Sequence, residues 1–92
     1  MLLVKFSRNF KTSFKRVSLH KTFKQDTFEY VVFMLSSKLE LPKQYKDHQL
    51  KGKHKDKREC HLAPDLLLMY STEEDILVLN MLDIGNHSSL FG

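Results

Sequence analysis

The N-terminal part of the chain carries apolar side chains at helical spacing. A short apolar segment at residues 2–6 predicts a first strand, and the apolar stripe after it recurs every three or four positions, which predicts an amphipathic helix. Ser7 lies where its hydroxyl can cap the first turn of that helix. The stripe consists of Phe6, Phe10, Phe14 and Val17. An aromatic stripe of this kind is typical of core packing.

A second helical pattern follows a polar connection at residues 20–25. Asp26 and Glu29 resemble a capping box in which Asp takes the Ser/Thr position. Leu41-Pro42 is predicted to end the helix, because the residue before proline is driven out of the helical conformation. The apolar positions of the helix are Phe28, Val31, Val32, Leu35 and Leu39. Two helices with a short link predict a helical hairpin packed on a sheet.

From residue 58 onward the pattern is that of strands. Residues 58–62, 66–70 and 76–82 are predicted strands, with polar turns at 63–65 and 71–75. Short turns between consecutive strands imply an antiparallel meander. The order β-α-α-β-β-β predicts one α+β domain over residues 1–92. In it, an N-terminal strand and a two-helix hairpin pack on a mostly antiparallel sheet.

Composition limits the cellular context. The single cysteine, Cys60, excludes an intrachain disulfide and favours a reducing compartment. The N-terminal apolar segment is too short for a signal peptide, and no apolar run has the length of a membrane span. We therefore expect a cytoplasmic protein without a membrane partner.

Charge is distributed unevenly along the chain. Residues 1–58 hold all 15 basic residues and five acids, a net charge of +10, whereas residues 59–92 hold six acids and no Lys or Arg, a net charge of −6. A basic surface of this kind suits a polyanion such as RNA, although lysines that simply solvate loops and helices are the alternative. The candidate RNA-binding residues lie in one loop segment and are Lys46, Lys51, Lys53, Lys55, Lys57 and Arg58.

Three of the four histidines in and after this segment suggest proton chemistry. RNA cleavage by internal attack needs a deprotonated 2′-OH, a protonated 5′-oxygen and a stabilised phosphate, and His48, His61 and His87 can exchange protons near neutral pH. Strand alternation predicts that Glu59 and His61 share one sheet face and that Cys60 faces the core, which disfavours a cysteine nucleophile. Paired metal-ligand spacing is absent from the sequence, so we expect neither a metal nor another cofactor.

The motifs of this region resemble those of the RelE/ParE superfamily of bacterial toxins, in particular its YafQ-like branch. The matching segments are Tyr45-Lys46-Asp47-His48, Leu50-Lys51-Gly52, Arg58-Glu59-Cys60-His61, Pro64-Asp65 and Gly85-Asn86-His87-Ser88-Ser89-Leu90-Phe91. The resemblance implies a RelE-like fold and a ribosome-dependent endoribonuclease that cuts mRNA. It also implies a cognate antitoxin that blocks the toxin, with operator DNA bound only through the antitoxin complex.

By motif position, the resemblance implies a catalytic set of six residues. The set is His48, Glu59, His61, Asp65, His87 and Phe91. The histidines would share acid–base work and phosphate contact, the two carboxylates would act as bases or orienting groups, and Phe91 would stack on a nucleobase. Which histidine is the base stays open. We expect the segment 45–65 and the C-terminal motif to meet in one site.

The chain departs from the family pattern at three places. Glu59 stands where Asp is frequent, Asp83 stands where relatives often carry an arginine four residues before the last histidine, and His54-Lys55 replaces a Trp-Lys pair. The missing arginine would either leave phosphate stabilisation to the lysine loop or Arg58, or weaken catalysis. Non-nuclease alternatives are a gyrase inhibitor of the same fold, an inactive RNA-binding module and a DNA-binding regulator. The His87/Phe91 motif favours the nuclease, and no helix-turn-helix pattern supports the regulator.

Overall fold

A computed structural model of the protein describes residues 1–91 and forms a five-stranded sheet with helices. The elements are β1 (Leu3–Phe6), α1 (Arg8–Val17), α2 (Gln25–Ser36), β2 (His48–Gln49), β3 (Arg58–Ala63), β4 (Leu66–Glu73), β5 (Val78–Gly85) and α3 (His87–Phe91). The strand order is β1-β5-β4-β3-β2, with β1 parallel to β5 and the other pairs antiparallel. The predicted α+β class and antiparallel meander are confirmed.

Helix α1 begins where the sequence predicts. The Ser7 hydroxyl oxygen accepts a hydrogen bond from the Phe10 amide at 3.0 Å, which satisfies a free donor of the first turn. The same hydroxyl donates to the Leu82 carbonyl at 2.7 Å. The cap therefore also joins α1 to strand β5.

Helix α2 differs from the prediction at both ends. Lys24 occupies the N-cap position without a side-chain hydrogen bond, and Asp26 lies inside the first turn, so the capping-box prediction is wrong. At the other end, Lys38 adopts a left-handed conformation (φ 60°), and its amide donates to the Leu35 carbonyl. The Leu39 amide donates to the Met34 carbonyl, which completes a Schellman closure. The helix thus ends at Ser36 through its own backbone, before the proline is reached.

The last two strands are shifted relative to the prediction. β4 continues to Glu73, the turn covers residues 74–77, and β5 begins at Val78. Ile76 and Leu77, which the apolar pattern assigned to a strand, are exposed, and Leu77 has a positive φ. Pairing of Val78 with both Leu3 and Glu73 decides where β5 starts, and that information is not local in sequence.

The helices cover one face of the sheet. Phe10, Phe28 and Val31 pack there against inward side chains of the central strands. These strand residues are Cys60, Leu66, Leu68, Tyr70, Leu79, Met81 and Ile84. The predicted aromatic stripe is confirmed as core for Phe10, with Phe14 packed beside it, whereas Phe6 is 43% exposed. Within residues 1–91, no helix is both long and apolar enough to span a bilayer.

Candidate active site

Glu59 is the centre of the candidate site. Alternation along β3 puts Cys60 in the core and turns Glu59 and His61 to the opposite face, as predicted. Glu59 is nevertheless only 5% exposed, and its Oε2 atom has no hydrogen-bond partner among the described residues. A buried carboxylate with a free oxygen is costly unless cations lie close to it.

Two imidazoles approach the same oxygen of Glu59. His48 pairs with Glu59 across β2 and β3, and its Nε2 lies 3.5 Å from Glu59 Oε1. His61 Nε2 lies 3.9 Å from that oxygen, and the two imidazole rings are 6.4 Å apart. The prediction of a loop at His48 is wrong, because a two-residue strand there places the ring opposite Glu59. We call these three residues the Glu59 group.

The backbone selects one tautomer of His48. Its Nδ1 lies 2.7 Å from the Lys46 carbonyl oxygen, which can only accept, so Nδ1 carries the proton in that bond. In the neutral ring Nε2 then holds a lone pair. This atom faces the Glu59 carboxylate.

The C-terminal motif forms a second group on α3. The His87 and Phe91 rings are 5.1 Å apart, and the His87 amide lies 3.5 Å from Asp65 Oδ1 on the β3–β4 turn. A Cβ atom on Gly85 would meet Ser89 Oγ, so glycine leaves room for the Ser89 hydroxyl, which donates to the Asn86 carbonyl at 3.0 Å. We call Asp65, His87 and Phe91, together with His54, the α3 group.

His54 belongs to this group although the sequence analysis did not select it. Its ring packs edge-on against Phe91 with a centroid distance of 5.6 Å. The sequence contained one signal that could have identified His54, since it replaces an aromatic residue of the family loop. The two motifs therefore meet at Asp65–His87 and at His54–Phe91, whereas their union in one site stays a prediction. Among the described residues, His87 and Phe91 make no ion pair or ring contact with the Glu59 group.

The lysine loop is folded rather than extended. A single 3-10 turn at Gly52–His54 presents three exposed lysines, and the Leu50 amide donates to the Lys57 carbonyl at 3.0 Å, which closes the loop. The exposed residues are Lys51, Lys53 and Lys55. Lys57 is half-buried, with Nζ 3.5 Å from His54 Nδ1. Lys46 is exposed and left-handed, with φ 49°.

Arg58 differs from the exposed lysines because its side chain is hydrogen-bonded within the protein. Its guanidinium donates to Asp47 Oδ1 (3.4 Å), the Tyr70 hydroxyl (3.3 Å) and Gln49 Oε1 (3.4 Å). Burial alone would lower the pKa of Arg58, but the hydrogen bonds to Tyr70 and Asp47 and the Asp47 charge together raise it. Burial and the hydrogen bond to Asp47 likewise raise the pKa of Tyr70, so its hydroxyl stays protonated.

Asp83, at the position where relatives often carry an arginine, does not take over the role of that arginine. Its Oδ1 accepts hydrogen bonds from the Ser13 hydroxyl at 2.7 Å and from the Ile84 amide at 2.8 Å. Strand β5 bulges beside it, since Tyr70 pairs with Met81 while Met69 pairs with Asp83. The carboxylate is therefore bonded to helix α1.

Cys60 is fully buried, and burial, followed by the charges of Asp47 and Glu59, raises the pKa of its thiol. A thiol in this state is a core group rather than a nucleophile. Within residues 1–91, no three His, Cys, Asp or Glu side chains are arranged to hold a metal ion.

Comparison with known proteins supports the resemblance found in the motifs. Residues 2–92 match the family described as the bacterial toxin of the type II toxin–antitoxin system, YafQ. The mRNA interferase toxin YafQ of Escherichia coli strain K12 is 34% identical over 88 residues, which cover 95% of this chain and 88% of that protein.

Solved structures agree with the sequence match. The crystal structure of a metal-bound toxin from Helicobacter pylori has a TM-score of 0.91 and 40% identity, and covers 99% of this chain and all of that one. The YafQ toxin in the E. coli DinJ–YafQ complex has a TM-score of 0.83 and 30% identity, with both chains fully covered. Fold and sequence thus define a class, the small toxins of bacterial type II toxin–antitoxin systems. Within that class, the chain belongs to the YafQ family.

Proposed function

We propose that this protein is a ribosome-dependent endoribonuclease that cleaves mRNA by internal attack of a ribose 2′-OH. The observation that carries the proposal is the pair of imidazoles on one buried carboxylate beside a basic loop. The E. coli relative is named an mRNA interferase, which supports the same reaction class.

The Glu59 group suits the proton transfers. The 2′-oxygen attacks phosphorus while its proton passes to an imidazole nitrogen, and the departing 5′-oxygen takes a proton from a second imidazole. Either His48 or His61 can fill either role with respect to Glu59, because each presents Nε2 to the same oxygen. The near-complete burial of Glu59 favours stabilisation of an imidazolium over direct proton transfer from RNA.

The α3 group suits binding of the nucleotide. Phe91 and His54 offer two ring faces for stacking on a base, and His87 lies beside Phe91 for contact with the phosphate. Asp65 would orient His87 through its amide. Since Arg58 is bonded to Asp47, we assign the phosphate charge to Lys57 and the exposed loop lysines.

The proposed protein partner is a cognate antitoxin, and operator DNA would be bound only through their complex. An apolar groove of about 470 Å³ between α1 and α2 suits such a partner. It is lined by Phe6, Phe10, Phe14 and Phe28, with Lys11 and Lys15 at its rim. Helix α1 contains no acidic residue, so the groove complements an antitoxin segment with apolar anchors and acidic flanks.

The test is primer extension on a translated mRNA after induction of the wild type or of His87→Ala. We expect new 5′ ends at codon-spaced positions that are lost in the variant and absent from an untranslated message. Antitoxin binding should survive in the variant, because the groove is formed by residues of β1, α1 and α2.

Each alternative result would contradict one part of the proposal. Cleavage that persists in His87→Ala excludes His87 from the site, and cleavage of untranslated RNA excludes ribosome dependence. Growth arrest without any cleavage favours a non-nuclease target such as gyrase. Loss of antitoxin binding in a folded His87→Ala protein contradicts the groove as the docking surface.

A further inference from the structure

His48 is held by less regular structure than the rest of the Glu59 group. Strand β2 has only two residues, both at the edge of the sheet, and it pairs with β3 through only two register positions. Strand pairing this short is marginal by itself. Proton transfer, however, requires the imidazole to stay within hydrogen-bond reach of its partners.

The two neighbours of His48 are bound to one guanidinium. Asp47 Oδ1 accepts from Arg58 Nε at 3.4 Å, and Gln49 Oε1 accepts from Arg58 Nη1 at 3.4 Å. The Gln49 amide also donates to the carbonyls of Lys55 and Lys57 in the lysine loop. The residues before and after His48 are thus connected to β3 by side-chain hydrogen bonds as well as by the backbone.

Tyr70 connects these contacts to the core. It is 2% exposed on the central strand β4, directly opposite Arg58 in the pairing register. Its hydroxyl donates to Asp47 Oδ1 and accepts from Arg58 Nε at 3.3 Å. The buried strand therefore fixes the position of the Asp47 carboxylate.

A fixed Asp47 determines the geometry of the next residue. The Lys46 carbonyl, which selects the His48 tautomer, precedes Asp47, and the His48 backbone follows it. Lys46 also has a left-handed φ, which is unfavourable for a non-glycine residue and persists only where neighbours hold it.

We propose that Asp47, Arg58 and Tyr70 form a clamp that positions His48, and that Asp47 and Tyr70 are positioning residues of the ribonuclease. This inference rests on the proposed function. It also gives Arg58 a role inside the protein, in place of the RNA contact predicted from sequence.

The test compares Tyr70→Phe and Asp47→Asn with two matched controls. Tyr30→Phe removes a hydroxyl from a more exposed tyrosine on α2, and Asp75→Asn removes a charge from the exposed turn between β4 and β5. In each clamp variant we expect the single-turnover cleavage rate at saturating ribosome complex to fall about tenfold, with an unchanged half-saturating concentration. The double variant should fall no further than the more affected single variant.

A spectroscopic readout separates positioning from general structural damage. In wild type, the ¹⁵N shifts of His48 should show the proton on Nδ1, and in the clamp variants this preference should weaken. Circular dichroism and antitoxin binding should stay unchanged in all four variants.

An unchanged rate and an unchanged His48 spectrum in folded Tyr70→Phe would overturn the clamp. A higher half-saturating concentration at an unchanged cleavage rate would mean that these residues act in RNA binding rather than in positioning His48. An equal loss of cleavage rate in the control variants would also refute the clamp. If wild type cleaves nothing, the proposed function fails, whereas the His48 spectra still test the clamp.

Discussion

Glu59→Gln is the sharpest test of the proposed chemistry, because it removes a charge and keeps the side-chain shape. At 3.5 Å between His48 Nε2 and Glu59 Oε1, two unit charges interact by about 5 kcal/mol at an effective dielectric constant of about 20. The His48 side chain is 48% exposed, so solvent screening reduces this to about 2 kcal/mol. That energy applies only while the ring is protonated during the reaction. We therefore expect cleavage to slow by about 30-fold.

Stability should not follow activity in this variant. Glu59 is buried with one oxygen unpartnered, so its charge is costly to the folded state, and the neutral amide relieves that cost. Urea denaturation should give a free energy of unfolding equal to or above that of the wild type. Glu74→Gln is the matched control. Its carboxylate likewise lies within 4 Å of a basic nitrogen, with Oε1 3.7 Å from Lys38 Nζ. Glu74 is, however, 66% exposed, and neither activity nor stability should change.

The assay is single-turnover cleavage of a ribosome-bound message, quantified by primer extension beside the denaturation curve. Wild-type cleavage by Glu59→Gln would show that the imidazoles work without the shared carboxylate. A loss of stability that accounts for the loss of activity would make Glu59 a structural residue.

Two further predictions concern the basic loop and the core thiol. Replacing Lys51, Lys53 and Lys55 together by Ala should lower the steepness of the plot of log affinity for the ribosome against log salt by about 2, because each lost phosphate contact contributes about 0.7. An unchanged slope would mean that these lysines are only solvated surface. Burial in the folded protein raises the pKa of the Cys60 thiol, so above about pH 8.5 only the unfolded chain loses the thiol proton. The free energy of unfolding should therefore fall by about 1.4 kcal/mol for each pH unit above that value. Urea denaturation at pH 7.5 and 9.5 checks this, and Cys60→Ala should flatten the dependence; an equal slope in that variant would contradict it.

Part of the site followed from strand alternation. The period of two along β3 was enough to separate Cys60 from Glu59 and His61, and helical spacing with a Ser cap was enough to find α1. The motifs also indicated the YafQ family. They placed His87 and Asp65 in one catalytic set, and the structure brings the His87 amide to 3.5 Å from Asp65 Oδ1.

The pattern of apolar and polar residues determined the α+β class, the meander and the core face of β3. These features depend on the periodicity within each element, on the order of the elements and on the short turns between strands. Only the tertiary structure decided that His48 lies opposite Glu59, since a two-residue strand carries no period and takes its register from its partner. Tyr70 lies within an apolar run, so the sequence did not indicate its contacts. Its hydroxyl meets Asp47 and Arg58 only after three separate segments are brought side by side.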